Sequence, residues 1–340
     1  MKILYGVQAT GNGHISRSRI MAKYFAEAKV DVTYLFSGRA SEQLFDMECF
    51  GDYLYRRGMT FNTKDGKINY ASSIVKNNML KMFYDIYALD VEPYDLIITD
   101  FEPITAWAGK IHGKQTLGVG HQYAFGQNTP ITGENYLAKM VMKYFAPANQ
   151  SLGLHWAPYN NNVLPPIIDV NMTKSACEKL VLVYLPFEEQ SLVTEILNGI
   201  ADKKFVQYSS GLANSEQGNV SLRATCYQGF KRDLCQASGV ICNSGFELIS
   251  ECLHLGLPVL TKPINGQMEQ ESNALALQEL NLADVMQSLD SRKIHDWINN
   301  YSAVLQRPIP DVAKTIVQAI LSSHPLKVGN IAQSLWRQYR

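Results

Sequence analysis

In "YGVQATGNGHISRSRIMAKYF", residues 5–25, a glycine-flanked turn carries His14 between an apolar stretch and a segment of helical period. Gly11, Asn12 and Gly13 let backbone come close to a ligand, and an imidazole at the start of a helix feels the positive end of the dipole. A neutral imidazole can take up a proton; equally, His14 could do no more than hydrogen-bond within the turn. Asp100 closes the apolar run of "YDLIITDFEP" and belongs to the same rim of strand ends. A carboxylate behind an imidazole orients it and stabilises the imidazolium, although Asp100 could instead cap the helix of "FEPITAWAGKI". Glu102 and His121, the latter after "TLGVG", lie on that edge as weaker candidates. The turn is neither a dinucleotide fingerprint, since Ser16 stands where a third glycine should be, nor a P-loop, since it has no lysine.

The second stretch is "GVICNSGFELISECLHLGLPVLTKPINGQMEQESNA", residues 239–274, which reads strand, glycine turn, helix, strand, polar loop, helix. The turn opens a helix at Phe246, so the amides around Ser244, Gly245 and Phe246 would suit a diphosphate without lysine or metal. Glu251, six residues after Gly245, could accept from two vicinal hydroxyls of a ribose, or be an exposed helical glutamate. Gln267, Glu269 and Gln270 crowd one loop, either as partners for sugar hydroxyls or as an ordinary solvated surface.

These residues need strand ends to stand on. Short β-branched runs near 2–7, 31–36, 95–99, 115–119, 152–156, 180–185, 204–208, 239–242 and 258–262 alternate with segments of helical period. That is a doubly wound α/β pattern written twice, giving two Rossmann-like domains. At 340 residues with 46% hydrophobic content the chain can fill two cores. Prolines and asparagines gather around 147–178, so the expected division is a first domain over 1–150, a linker over 151–178, a second domain over 179–322, and a C-terminal helix over 323–340 that buries Leu335 and Trp336, packing back toward the first domain. Thirty-one basic residues balance thirty-one acidic ones, which leaves no global field for nucleic acid. Six cysteines without a C-x-x-C pair and seven scattered histidines indicate neither a zinc site nor a disulfide framework, and read as buried free thiols in a reducing cytosol. Neither a signal-peptide pattern nor a run of eighteen apolar residues occurs, so a cytoplasmic protein is expected.

The second stretch resembles nucleotide-sugar glycosyltransferases of the GT-B fold: the UDP-glycosyltransferase superfamily and the family that includes the murein-precursor N-acetylglucosaminyltransferase. Those families share a glycine, a glutamate six residues later, a Gly-x-Pro turn and an acidic-Gln-x-x-Asn-Ala motif; here these are Gly245, Glu251, "GLP" ending at Pro258, and "EQESNA" from Glu269 to Ala274. Gln228 in "CYQGF" stands seventeen residues before Gly245, where the family places a glutamine near the nucleobase, which would let Tyr227 or Phe230 stack on uracil. "GNGH" looks like the acceptor-side loop and "ITDFEP" like the family's strand-end Asp-x-Phe, so the resemblance implies His14 as general base with Asp100 as its partner. The overall likeness is to microbial glycosyltransferase-like proteins and implies no acceptor. There are departures: the first loop is one glycine shorter than in the murein enzyme, Asn243 and Phe246 replace a histidine and a tryptophan, and Glu247 would repel a diphosphate unless it points away.

The expectation is therefore an inverting, metal-independent transfer of a sugar from a nucleotide diphosphate, UDP above others, to a hydroxyl acceptor that could be a glycan, a lipid-linked or a small molecule. No cofactor is expected beyond that co-substrate. A nucleotide-sugar epimerase of the same fold and a non-catalytic binder remain alternatives. The helix of "NYLAKMVMKYF", with Lys139 and Lys143 beside apolar residues, could rest on the inner face of a membrane, but its pattern favours a core helix.

Overall fold

The computed structural model describes residues 1–60, 63–64, 67–68, 78–126, 128–133, 136–175, 180–201, 203–302, 304–322 and 325–339. The strands in chain order are β1 (Lys2–Gln8), β2 (Asp31–Ser37), β3 (Leu54–Tyr55), a short hairpin of β4 (Thr63–Lys64) and β5 (Lys67–Ile68), β6 (Leu96–Asp100), β7 (Thr116–Gly120), β8 (Gln150–Leu154) and β9 (Val163–Leu164). They continue with β10 (Leu180–Tyr184), β11 (Lys204–Tyr208), β12 (Ser215–Gln217), β13 (Val220–Arg223), β14 (Gly239–Asn243), β15 (Val259–Lys262) and β16 (Asp284–Val285). Two seven-stranded sheets result, ordered β3-β2-β1-β6-β7-β8-β9 and β12-β13-β11-β10-β14-β15-β16. All their pairings are parallel except β12 with β13. Both sheets reverse direction at their first strand, and the crevice beyond that point is where open α/β sheets bind ligands.

Each sheet is buried on both faces because its strands are apolar throughout. Ile3, Tyr5 and Val7 of β1 face one core, while Leu4 joins Leu35, Ile97 and Ile104 in another. In the second sheet Leu182, Val206 and Val240 face one way and Val181, Phe205 and Ile241 the other. This period of two within a continuous apolar run is what a sheet covered by helices on both sides requires.

The expected boundary at residue 150 falls within the first sheet: β8 starts there, and β9 follows at Val163, so the stretch expected to be a linker supplies two strands. Its prolines and asparagines are turn residues around those strands. The chain also returns. Helix Val312–Ser322 packs along helix α1 (Asn12–Glu27), Tyr24 donates to Asp311, and helix Val328–Gln338 lies on β9, where Trp336 Nε1 donates to Val163 O at 2.7 Å and Leu335 is fully buried.

The helix Tyr136–Tyr144, expected to be a core element, is only half covered: Val141 and Met142 pack on Phe101 and Ala146, while Tyr136, Met140 and Tyr144 are exposed. Cys242 and Cys252 are the buried thiols expected, but Cys49 and Cys226 are exposed; Cys177 lies outside the described residues.

Candidate active site

β1 and β6 are neighbours, with Val7 opposite Asp100, so the loop after β1 and the end of β6 meet on one rim. His14 is the third residue of α1, and its Nδ1 lies 2.8 Å from Asp100 Oδ1. Proton placement follows from this partner: Nδ1–H donates to the carboxylate, which leaves Nε2 as the acceptor. The imidazole is 13% exposed rather than open to solvent, and Nε2 is 3.5 Å from Gln122 Nε2. Asp100 is fully buried and does not cap the following helix; Glu102 does, accepting from the amides of Ile104 and Thr105. Phe101 between them has φ +53°, a left-handed conformation that costs an aromatic residue about 1–2 kcal/mol and is found where function fixes the backbone. Burial works to raise the pKa of Asp100, but Arg17 and His14 overcome it and hold the carboxyl below its usual range.

Arg17, absent from the sequence reading, is the centre of this arrangement. Its Nε and Nη2 donate to Asp100 Oδ2 and Oδ1 at 2.9 and 2.6 Å, and its Nη1 donates at 2.9 Å to Glu247 Oε2 of the second domain. Gly120 closes in on the pair: a Cβ on it would stand 3.0 Å from Asp100 Oδ1, so the carboxylate would have to shift by a few tenths of an ångström.

In the second domain the helix Phe246–Leu255 begins at the end of β14 with no side-chain cap. The amides expected to hold an anion are partly committed, since Ser244 N donates to Lys262 O and Gly245 N to Asn243 O. Pairing with β15 takes the first and the turn itself the second, so what faces outward is the helix's own first turn, from Phe246. Ser244 is buried, with its hydroxyl on Thr261 and its carbonyl on Asn273 Nδ2; it shapes the turn and does not face the cleft. Asn243 is buried too, its Nδ2 on Lys262 O.

A cavity between the domains is lined by Asn12, Gly13, Tyr184, Tyr227, Phe230 and Glu251, among others. Glu251 is buried, not a surface glutamate, and pairs with Lys231 of the helix Tyr227–Gln236. Tyr227 lies under Arg19 at 4.8 Å, and its amide donates to Asp46 of the first domain. Phe230 packs edge-on to Tyr184 and Tyr208. Gln228 is exposed and outside that lining, because successive residues of a helix point in different directions. The cavity holds about 90 Å³, well under the ~300–1,000 Å³ of an occupied small-molecule site.

Of the polar loop, Glu269 accepts from Gln122 Nε2 at 2.9 Å and so stands beside His14. Gln270 is turned inward, capping Ile264 N, and Gln267 starts the helix Met268–Glu279. His121 does not reach the acceptor side. It is buried in the domain interface, stacked 4.0 Å over Phe246, with its nitrogens 2.7 Å from Leu154 O and Asn273 Oδ1. Gly11 caps α1, while Asn12 is held by Arg39 and Tyr184. Lys231 and Gln122 also escaped the sequence reading. Arg17 had one signal, its place three residues after His14 on the same helix face; the other two reach their partners only through the fold.

No curated protein matches the chain. Among solved structures it is similar to the glycosyltransferase SnogD from Streptomyces nogalater (TM-score 0.51, 15% identity, covering 94% of this chain and 99% of that one). It is also similar to MurG of Acinetobacter baumannii (0.53, 13%, 99% and 100%) and to LpCGTa in complex with UDP (0.55, 12%, 99% and 99%). These likenesses extend over both domains and show the GT-B fold. The sequence profile of glycosyl transferase family 1 matches residues 1–302, which takes in both rims of the cleft, and the chain belongs to that family and is a glycosyltransferase.

Proposed function

We propose that the enzyme transfers a sugar from a UDP-sugar to a hydroxyl acceptor with inversion and without a metal. The observation that carries this reading is the His14–Asp100 pair at the first domain's rim, opposite an uncapped helix start on the second. His14 Nε2 takes the acceptor's proton as its oxygen attacks the anomeric carbon. The bond from that carbon to the phosphate oxygen breaks on the opposite side, and UDP leaves with the electron pair, its charge met by the helix dipole. Tyr227 and Phe230 supply aromatic surface for the base, Glu251 an acceptor for the ribose hydroxyls, and Glu269 one for the sugar. In a thermal-shift series over nucleotide diphosphates, UDP at a hundred times its Kd is expected to add about 2.7 kcal/mol, in EDTA as in buffer. No stabilisation by any nucleotide, or stabilisation only with a divalent metal, overturns the reading.

An anionic bilayer is the partner proposed for the exposed face of the first domain, at the inner side of the membrane. Helix Met79–Tyr87 packs on helix Pro103–Ile111, whose Trp107 Nε1 donates to Tyr144 O at the end of the third helix, so one face joins all three. Leu80 is 82% exposed and Tyr136 81%, with Phe83, Tyr84, Tyr87 and Met140 beside them. Lys81, Lys110 and Lys143 lie over Tyr84, Trp107 and Tyr144, the aromatic and basic mixture that suits a headgroup layer. No helix among the described residues is long and apolar enough to cross a membrane. Co-sedimentation with phosphatidylglycerol vesicles is expected, with little on neutral ones. Leu80→Ser with Phe83→Ser should weaken it about tenfold or more, since each buried apolar side chain contributes about 1.5–3 kcal/mol. Equal binding by this variant overturns the assignment.

A further inference from the structure

Glu247 is a buried carboxylate with one oxygen satisfied. Oε2 accepts from Arg17 Nη1, and Oε1 is buried without a partner. Such an atom calls for a reason, because leaving a buried acceptor unpaired is costly. The surroundings provide one. Glu247 is the second residue of helix Phe246–Leu255, and Gly13, the second residue of α1, touches it: a Cβ there would stand 3.2 Å from Glu247 Cβ. Two helix starts therefore meet at this carboxylate, neither with a side-chain cap, and a buried guanidinium joins them. Two uncapped helix starts and a buried guanidinium bring hydrogen-bond donors together at this spot in the cleft.

We propose that Arg17, supplied by the first domain, is a ligand of the donor's diphosphate, and that Glu247 competes with the diphosphate for the same guanidinium nitrogen. The proposal rests on the donor reading above. When the diphosphate arrives, Nη1 passes from Glu247 to a phosphate oxygen, while Nε and Nη2 stay on Asp100. Binding of the diphosphate and orientation of His14, through Asp100, then share one side chain.

The groups facing Glu247 are Arg17 of α1, Asp100 of β6 with His14 bonded to it, Glu251 one turn along its own helix, and Lys231 of the helix Tyr227–Gln236. Burial, aided by Glu251 and Asp100, pushes Glu247 up to about 8 against the pull of Arg17 and Lys231. Below that pH it is neutral and a weak rival for Arg17; above it the carboxylate ionises and competes fully, so UDP should bind less well as pH rises from 7 to 9.

Calorimetric titration of wild type and Glu247→Gln with UDP and with uridine, at pH 6.5 and pH 9, tests this. At pH 9 the variant is expected to bind UDP about tenfold more tightly than wild type, at pH 6.5 about equally, and uridine alike at both. Comparing the two proteins cancels the titration of UDP itself. Equal UDP affinity at pH 9, or an equal gain for uridine, overturns the proposal while leaving the donor reading intact. A wild type that binds no nucleoside diphosphate at either pH takes down both.

Discussion

His14→Ala is expected to lower transfer to acceptor by about a hundred- to ten-thousand-fold while leaving UDP affinity within a factor of two, because the imidazole acts on the acceptor proton and Asp100, not His14, holds Arg17 through two hydrogen bonds. The split is the informative part. His14 touches Asp100 and stands near Gln122 and Arg17, and none of these three lines the cavity between the domains. Loss of kcat with UDP binding retained, measured by product formation and by calorimetry on the same preparation, supports the general base. Full turnover removes it from the mechanism, and a parallel loss of UDP affinity makes it a closure residue instead.

Strand ends were readable because a parallel sheet leaves an uninterrupted apolar signature. β1, β2, β6, β7, β10, β11, β14 and β15 appear within two residues of where β-branched runs place them, and with them the rim that carries His14 and Asp100. Edge strands were not. Val163–Leu164, Ser215–Gln217 and Asp284–Val285 are two or three residues long, too short for a period to form. The division at 150 failed for a different reason: turn residues mark the end of an element, and in this stretch they flank β8, which was read as a strand, and the edge strand β9, both of the first sheet.

Within the site, motif and geometry part company at Ser244, Gly245 and Gln228. Spacing along the chain found the glycine turn, but which amides it leaves open depends on pairing with β15, and Lys262 O takes one of them. His121 shows the opposite failure. Its strand-end position was right, yet an imidazole stacked on Phe246 across the domains is a packing element of the interface. Arg17 and Glu247 acquire their meaning only when the two halves are brought face to face, and Lys231 only when two helices of the second domain pack together. Glu247 had been legible only as a repulsive neighbour of a diphosphate; its partner changes that repulsion into competition.

Asp100→Asn is expected to have the second large effect, on stability and rate together. Arg17 is fully buried, its charge strengthened by Asp100 and Glu247 against the cost of burial. An asparagine keeps the shape but not the charge, and breaking a buried pair by removing one partner costs about 3–5 kcal/mol, to be read in urea unfolding at pH 7. The sign with pH follows from the depressed carboxyl. Asp100 contributes stability that is present above its unfolded pKa of about 3.9 and lost as pH falls through its lower folded value, so the gap between wild type and variant should be full at pH 7 and narrow only under strongly acidic conditions. Activity should fall by as much as about ten-thousand-fold, since the amide can present its NH2 to Nδ1 and so favour the tautomer with the proton on Nε2. A variant that keeps wild-type stability would mean that Arg17 finds another anion. If it also keeps its rate, the imidazole's orientation comes from the turn alone, and the pairing across β1 and β6 is structural.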